Sequence, residues 1–233
     1  MPVFVAKAII SDVEVRDIHR WDVSVADAQR IQRGLADSVV RRGRLDAVEL
    51  IAGIDISGAD EKGMSRGAIV VLRYPSMEVV EVGTALMKIE FPYVPGLLSF
   101  REIPLVLAAC RHLSTTPDLF IADGQGIAHP RRLGLASHLG LLLEKSTIGC
   151  AKSRLIGEFA EPGAEKGAWS PLRDGDGTIG AVVRTRSRVR PVFVSVGHKC
   201  TLEDAIRVTV ACATRYRIPE PARLAHQAVS KLR

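Results

Sequence analysis

Cysteine is scarce in this 233-residue chain, and its four copies, Cys110, Cys150, Cys200 and Cys212, never form a CxxC pair. Cys110 and Cys212 sit in apolar, helix-like segments. That pattern argues against a zinc cluster or disulfide framework and for buried free thiols in a reducing compartment. No apolar run reaches the length of a membrane span. Residues 1–10 are apolar but lack a basic leader and an A-x-A cleavage site, so a cytoplasmic protein with no membrane partner is expected. Internal repeats and low-complexity tracts are also missing, which leaves out a repeat array. What is present is the composition of a folded globular chain, 47% hydrophobic and 25% charged, long enough to bury a sizeable core in one domain or two small ones. Lys and Arg number 32 against 26 Asp and Glu, a net charge of +6. Such a surplus suits a polyanionic partner such as nucleic acid, although many proteins of this charge bind none.

The first periodic segment follows Trp21. Ser24 is an N-cap with Asp27 three residues on, and Val25, Ala28, Ile31, Leu35 and Val39 mark one helical face before the basic cluster at residues 41–44. Three strand-like stretches come next, at residues 50–57, 67–74 and 77–88, separated by short turns as in a meander. A proline-bounded loop at residues 91–96 leads to a helix ending near Leu113. A strand at 118–123 ends in Gly124-Gln125-Gly126. A helix over 133–145 and a buried strand over 147–151 follow. Residues 157–178, rich in Gly, Pro and charge, read as a long irregular excursion. Strands at 179–184 and 192–196, a helix over 202–216 and a last short helix carrying His226 complete the chain. Antiparallel strands followed by alternating helices and strands predict an α/β fold with one mixed sheet and flanking helices.

Asp55 ends an otherwise apolar strand, and a carboxylate there costs free energy unless it is paired or bound to a cation; emergence into solvent or a turn cap is the plain alternative. Asp123 repeats the pattern before a glycine loop able to approach a ligand closely, although Asp-Gly is also an ordinary turn. If the two strands are adjacent and parallel, both carboxylates project from one edge of the sheet, where α/β folds bind ligands. Two such oxygens suit Mg²⁺, with water and phosphate completing its shell. Glu102 is the third acid. Its spacing from Ser99 is that of a capping box, which Pro104 weakens somewhat; a helix beginning slightly later would instead leave Glu102 free to face the site, and the sequence is compatible with both positions.

Other residues carry two readings each. His129 either binds phosphate or shapes its loop, and His198 either serves a site or occupies a surface turn. Lys152 follows an apolar strand, where it could contact phosphate or simply snorkel. A lone His226 is by itself more often structural than a ligand. Tyr93 lies between Pro92 and Pro95, which stiffen the loop; the ring either stacks on a base or packs over a neighbouring strand.

Taken together, these motifs resemble the endonuclease V family. The likeness is carried by Ile51-Ala52-Gly53-Ile54-Asp55-Ile56-Ser57, by the 91–96 loop with Ser99 and Glu102, and by Ala122-Asp123-Gly124-Gln125-Gly126-Ile127-Ala128-His129-Pro130-Arg131. Leu135-Ala136-Ser137-His138-Leu139-Gly140, Val194-Ser195-Val196-Gly197-His198 and Tyr216-Arg217-Ile218-Pro219-Glu220-Pro221 add to it. It runs from Trp21 to Lys231, so residues 21–233 are expected to form one catalytic domain and residues 1–20 an extension with no assigned role. The resemblance implies an RNase H-like fold and Mg²⁺-dependent cleavage, with Mn²⁺ as a substitute. The cut would fall at the second phosphodiester bond 3′ to deoxyinosine, leaving a 3′-hydroxyl and a 5′-phosphate. It further implies that Asp55, Asp123 and Glu102 hold the metal and that Lys152 lies near the scissile phosphate. His226 matches a position where relatives carry His or Asp. Tyr93, Pro92 and Pro95 match a wedge, with Gly124, Gly126 and His129 beside the lesion. Inosine-containing DNA is the expected partner of a monomer; cleavage of inosine-containing RNA and non-catalytic lesion binding are the alternatives.

Overall fold

A computed structural model describes residues 15–231. Its centre is one eight-stranded mixed sheet in the order β3-β2-β1-β4-β5-β8-β7-β6. The strands are β1 (Leu50–Ile56), β2 (Met64–Arg73), β3 (Glu78–Lys88), β4 (Leu119–Ala122), β5 (Ser146–Ala151), β6 (Trp169–Asp174), β7 (Gly177–Val183) and β8 (Val192–His198). β1, β4 and β5 run parallel, and the remaining pairs are antiparallel. The expected α/β architecture, a meander followed by parallel strands, is therefore what forms. Among the described residues no helix is long and apolar enough to cross a membrane.

Strand alternation sorts the core. Ala52, Ile54, Phe120 and Ala122 pack with α2 (Leu98–Cys110) and α3 (Leu135–Leu143). Ile51, Leu119 and Ile121 belong to a second cluster with Ala205, Val208 and Cys212 of α4 (Leu202–Cys212). α5 (Glu220–Lys231) lies across β1 and β2. α1 (Val25–Leu35) starts at Ser24, whose Oγ accepts from the Asp27 amide as its spacing predicted. All four cysteines are free and buried. Residues 15–20 pack on the sheet domain: the Arg16 amide donates to Leu142 O at 2.8 Å, and Ile18 joins the core. Residues 1–14 lie outside the described part.

Several expectations need correction. The 157–178 segment is not irregular throughout, because β6 forms there and pairs with β7. β6 is the last strand of the sheet and carries Pro171, Arg173 and Asp174, which make its sequence read as a loop. α4 stops at Cys212, four residues early, since Thr214, Arg215 and Tyr216 have no core to face and are exposed. Ser99 does not cap α2. The helix begins at Leu98, includes Pro104, and buries Ser99 against His138 Nδ1 at 3.0 Å. His198 is no surface turn residue either: it ends β8, is buried, and its Nδ1 accepts from the Val40 amide.

Candidate active site

Register brings the two aspartates together. β1 and β4 pair in parallel with Ile54 opposite Ala122, so Asp55 and Asp123 are the next residues on neighbouring strands. Parallel neighbours in register present their side chains to the same side of the sheet. Glu102 arrives from α2, and the three carboxylates line one cleft of about 210 Å³ with Ile54, Ile56, Val106 and Leu135. Lys152, the residue after β5, forms an ion pair with Asp123. His226 on α5 places Nδ1 3.0 Å from Asp55 Oδ2.

The placement of His226 has a local cause. A Cβ on Gly53 would come within 2.0 Å of the Pro221 carbonyl, so α5 rests its first turn directly on β1. His226, little more than one turn further along, then reaches Asp55. Gly53→Ala is expected to push α5 outward, destabilise the fold by about 2 kcal/mol and break the His226–Asp55 contact. Thermal unfolding, with loss of activity in parallel, checks this; an unchanged melting temperature contradicts it.

The electrostatics follow from crowding three acids. Burial, and then the charges of Asp55 and Asp123, push the Glu102 carboxyl up from 4.5 to about 8. Burial also raises Asp55, opposed by its hydrogen bond from His226. Glu102 has no hydrogen bond or ion pair among the described residues. Among the described residues no three His, Cys, Asp or Glu side chains form a ready-made ion cage; Lys152 pairs with Asp123 and His226 with Asp55. The donor set is nonetheless one for a hard divalent cation. It consists of carboxylate oxygens, one of them unpartnered and uncomfortable as an anion.

Asp123 also lines a second, larger pocket of about 370 Å³. One part of its lining is the loop Tyr93, Val94, Pro95 and Gly96 with Ser99; another is Gly124, Gln125, His129 and Leu135; residues 151–155 complete it. Tyr93 is 73% exposed, so the ring is held out at the rim and not packed over a strand. Pro92 faces a different groove, with Trp21, Phe91 and Phe100. His129 is buried, donates from Nε2 to Gly96 O at 2.9 Å, and is pushed down to about 4 by burial. It shapes the pocket as a neutral imidazole. Gly126 does not line the pocket: its amide donates to Ser195 Oγ, and a Cβ there would lie 2.0 Å from Val196 O. Sequence reasoning missed Gln32, which reaches the pocket from α1. The available signal was a polar residue four places after Ala28 on an apolar helical stripe.

A mixed α/β sheet that gathers acids, a lysine and a histidine at the ends of parallel strands, beside an open pocket, has the make-up of a metal-assisted phosphodiester hydrolase, a nuclease. The comparisons agree. A family profile described as Endonuclease V matches residues 33–227, and the chain belongs to the endonuclease V family. It is 48% identical to an endonuclease V of Dehalococcoides mccartyi over 95% of this chain and 99% of that one. The crystal structure of an endonuclease V from Streptomyces avermitilis superposes with a TM-score of 0.87 at 41% identity, covering 94% of this chain and 96% of that one. A Ciona intestinalis endonuclease V, solved with a 24mer DNA containing an inosine followed by a ribo-adenosine, matches at 30% identity and a TM-score of 0.77, over 89% and 97% of the two chains.

Proposed function

We propose that this nuclease cleaves DNA at deoxyinosine, hydrolysing the second phosphodiester bond on the 3′ side and leaving a 3′-hydroxyl and a 5′-phosphate. The observation that carries the reading is Asp123, which belongs at once to the three-acid cleft and to the larger pocket, which has ample room for a base. A base drawn into the pocket would lead the strand on its 3′ side past the acids, where the second phosphodiester bond is the one proposed to be cut. Deaminated adenine pairs poorly, so its extraction from the duplex costs less than that of a normal base. The Ciona relative's inosine-containing DNA supports the same substrate class.

Asp55, Asp123 and Glu102 would hold Mg²⁺, or Mn²⁺ in its place. The bound ion supplies charge neutralisation and Lewis-acid polarisation of a phosphoryl oxygen. Lys152, exchanging its partner Asp123 for substrate, would hold a non-bridging oxygen of the scissile phosphate. Glu102 and His226 would orient or deprotonate the attacking water; burial and the two aspartates make Glu102 hold a proton, which it would give up with a divalent cation bound, freeing the carboxylate for that role. Tyr93 would occupy the gap left in the stack. Tyr93→Ala is expected to lower the preference for inosine over undamaged DNA by about tenfold, as loss of one stacked ring implies, with cleavage chemistry retained. Competition cleavage of mixed substrates measures this, and an unchanged preference removes the wedge.

The test of the whole reading is cleavage of matched inosine-containing DNA and RNA, each with Mg²⁺ or with EDTA. Divalent-dependent scission of the DNA supports it. Scission of RNA alone favours a ribonuclease, a reading given some weight by the ribonucleotide that follows inosine in the Ciona relative's ligand. Binding with no scission of either strand type would leave a lesion-binding module. The chain is proposed to act as a monomer in the cytoplasm.

A further inference from the structure

Gln32 is 1% exposed, and both N–H groups of its amide and one lone pair of its oxygen are committed to the pocket walls. Nε2 donates to Gly96 O at 3.0 Å and to Leu133 O at 2.9 Å, while Oε1 accepts from Arg131 Nε at 2.5 Å. Gly96 O also accepts from His129 Nε2 at 2.9 Å and from Arg131 Nη2 at 2.8 Å. A carbonyl oxygen has two lone pairs, so three donors crowded onto one oxygen fix its position closely. The backbone leaves little slack: Gly96 has φ +79°, and a Cβ there would meet Arg131 Nη2 at 2.7 Å.

Gly96 closes the loop that presents Tyr93. Leu133 follows the segment that carries His129 and Arg131, itself continuous with the glycine loop after Asp123. The Gln32 amide therefore bridges two chain segments that both line the 370 Å³ pocket. An aliphatic side chain on α1 could fill the same volume without bridging them.

We propose that Gln32 is a specificity-determining positioning residue: it sets the separation of the tyrosine loop from the glycine loop, and so the width of the base pocket. This rests on the reading that the pocket receives inosine. Hypoxanthine differs from guanine by one exocyclic amine, and from adenine by a carbonyl in place of an amine. Discrimination at that level requires walls held to a fraction of an ångström, which a shared buried amide provides and loose packing does not.

The experiment uses the full chain and duplexes that differ only in carrying inosine, guanine or adenine at one position. Gln32→Leu keeps the volume and removes all three hydrogen bonds. Gln32→Glu keeps an acceptor for Arg131 but turns oxygen toward two carbonyls. In both, the ratio of kcat/KM for inosine to that for the ordinary bases is expected to fall about tenfold, with KM for inosine rising more than kcat falls. A role in stability alone lowers all substrates in proportion, and an unchanged ratio in the folded variants overturns the proposal. Arg131→Met removes two donors of the same clamp from a half-buried side chain. It decides the matter if a Gln32 variant does not fold: a lowered ratio supports the proposal and a retained one overturns it. A wild-type protein with no preference for inosine overturns the base-pocket reading as well, which separates that failure from failure of the Gln32 role alone.

Discussion

Asp55→Asn is expected to abolish strand cleavage while leaving inosine-containing DNA bound. The substitution keeps the shape of the side chain and its reach to His226, 3.0 Å away, but removes one of the three carboxyl groups around the acidic cleft. With Asp55 neutral, Glu102 and Asp123 no longer make a three-carboxylate set, and the charge that would balance a divalent cation beside a phosphate is lost. Cleavage should drop by about 10³-fold or more, as is typical when preorganised electrostatic stabilisation is removed. Binding should hold or tighten, because an anionic side chain that repels the phosphate backbone has gone. Single-turnover cleavage and gel-shift titration of the same duplex separate the two effects. Cleavage within about tenfold of wild type would falsify the assignment of Asp55 as a metal ligand.

Glu102→Gln should give an inactive protein that is more stable than wild type in alkaline solution. The carboxyl lies at about 8 in the folded chain against an ordinary 4.5, chiefly through burial and then through Asp55 and Asp123. Its folded value is raised, so the stability tied to the neutral form is complete below the unfolded value. It is lost progressively as pH rises through the folded value, because only the native state still holds the proton in between. Glutamine has no proton to lose. The advantage of the variant should therefore grow from about pH 5 to about pH 9, reaching roughly 2 kcal/mol after allowing for the buried amide's own desolvation. Mg²⁺ should stabilise wild type and narrow the gap, since a ligand that binds only the native state shifts unfolding by mass action. Melting temperatures across that range, with and without Mg²⁺, provide the check. A difference between variant and wild type that does not vary with pH contradicts the elevated carboxyl.

The parts of this site that were legible beforehand are those where one residue breaks the pattern of its own element. Asp55 and Asp123 end apolar strands, and Lys152 stands directly after one, so strand alternation alone isolates them. Glu102 was harder, because capping-box spacing offered a rival explanation that only the observed start of α2 at Leu98 removes. Gly126 and Pro92 belong to the same motifs as true pocket residues yet face β8 and a neighbouring groove. Motif membership says that a backbone shape is needed, not which side of it meets a ligand. The edge strand β6 was illegible for a related reason. A strand at the end of a sheet need not alternate cleanly, and its charges and proline look like loop chemistry.

Local rules acting within a few residues determined the order of strands and helices, the apolar faces, and the carboxylates stranded at strand ends. Those signals depend on periodicities of two and 3.6 residues, which a linear sequence displays directly. Tertiary structure alone decided that β1 and β4 pair in the register that sets Asp55 beside Asp123, and that α5 lies close enough on Gly53 for His226 to arrive. It also turned Gln32 into a strap between two distant loops. Contacts between residues separated by tens of positions depend on register, crossing angle and how closely backbones approach, and each is fixed by the packing of the whole core.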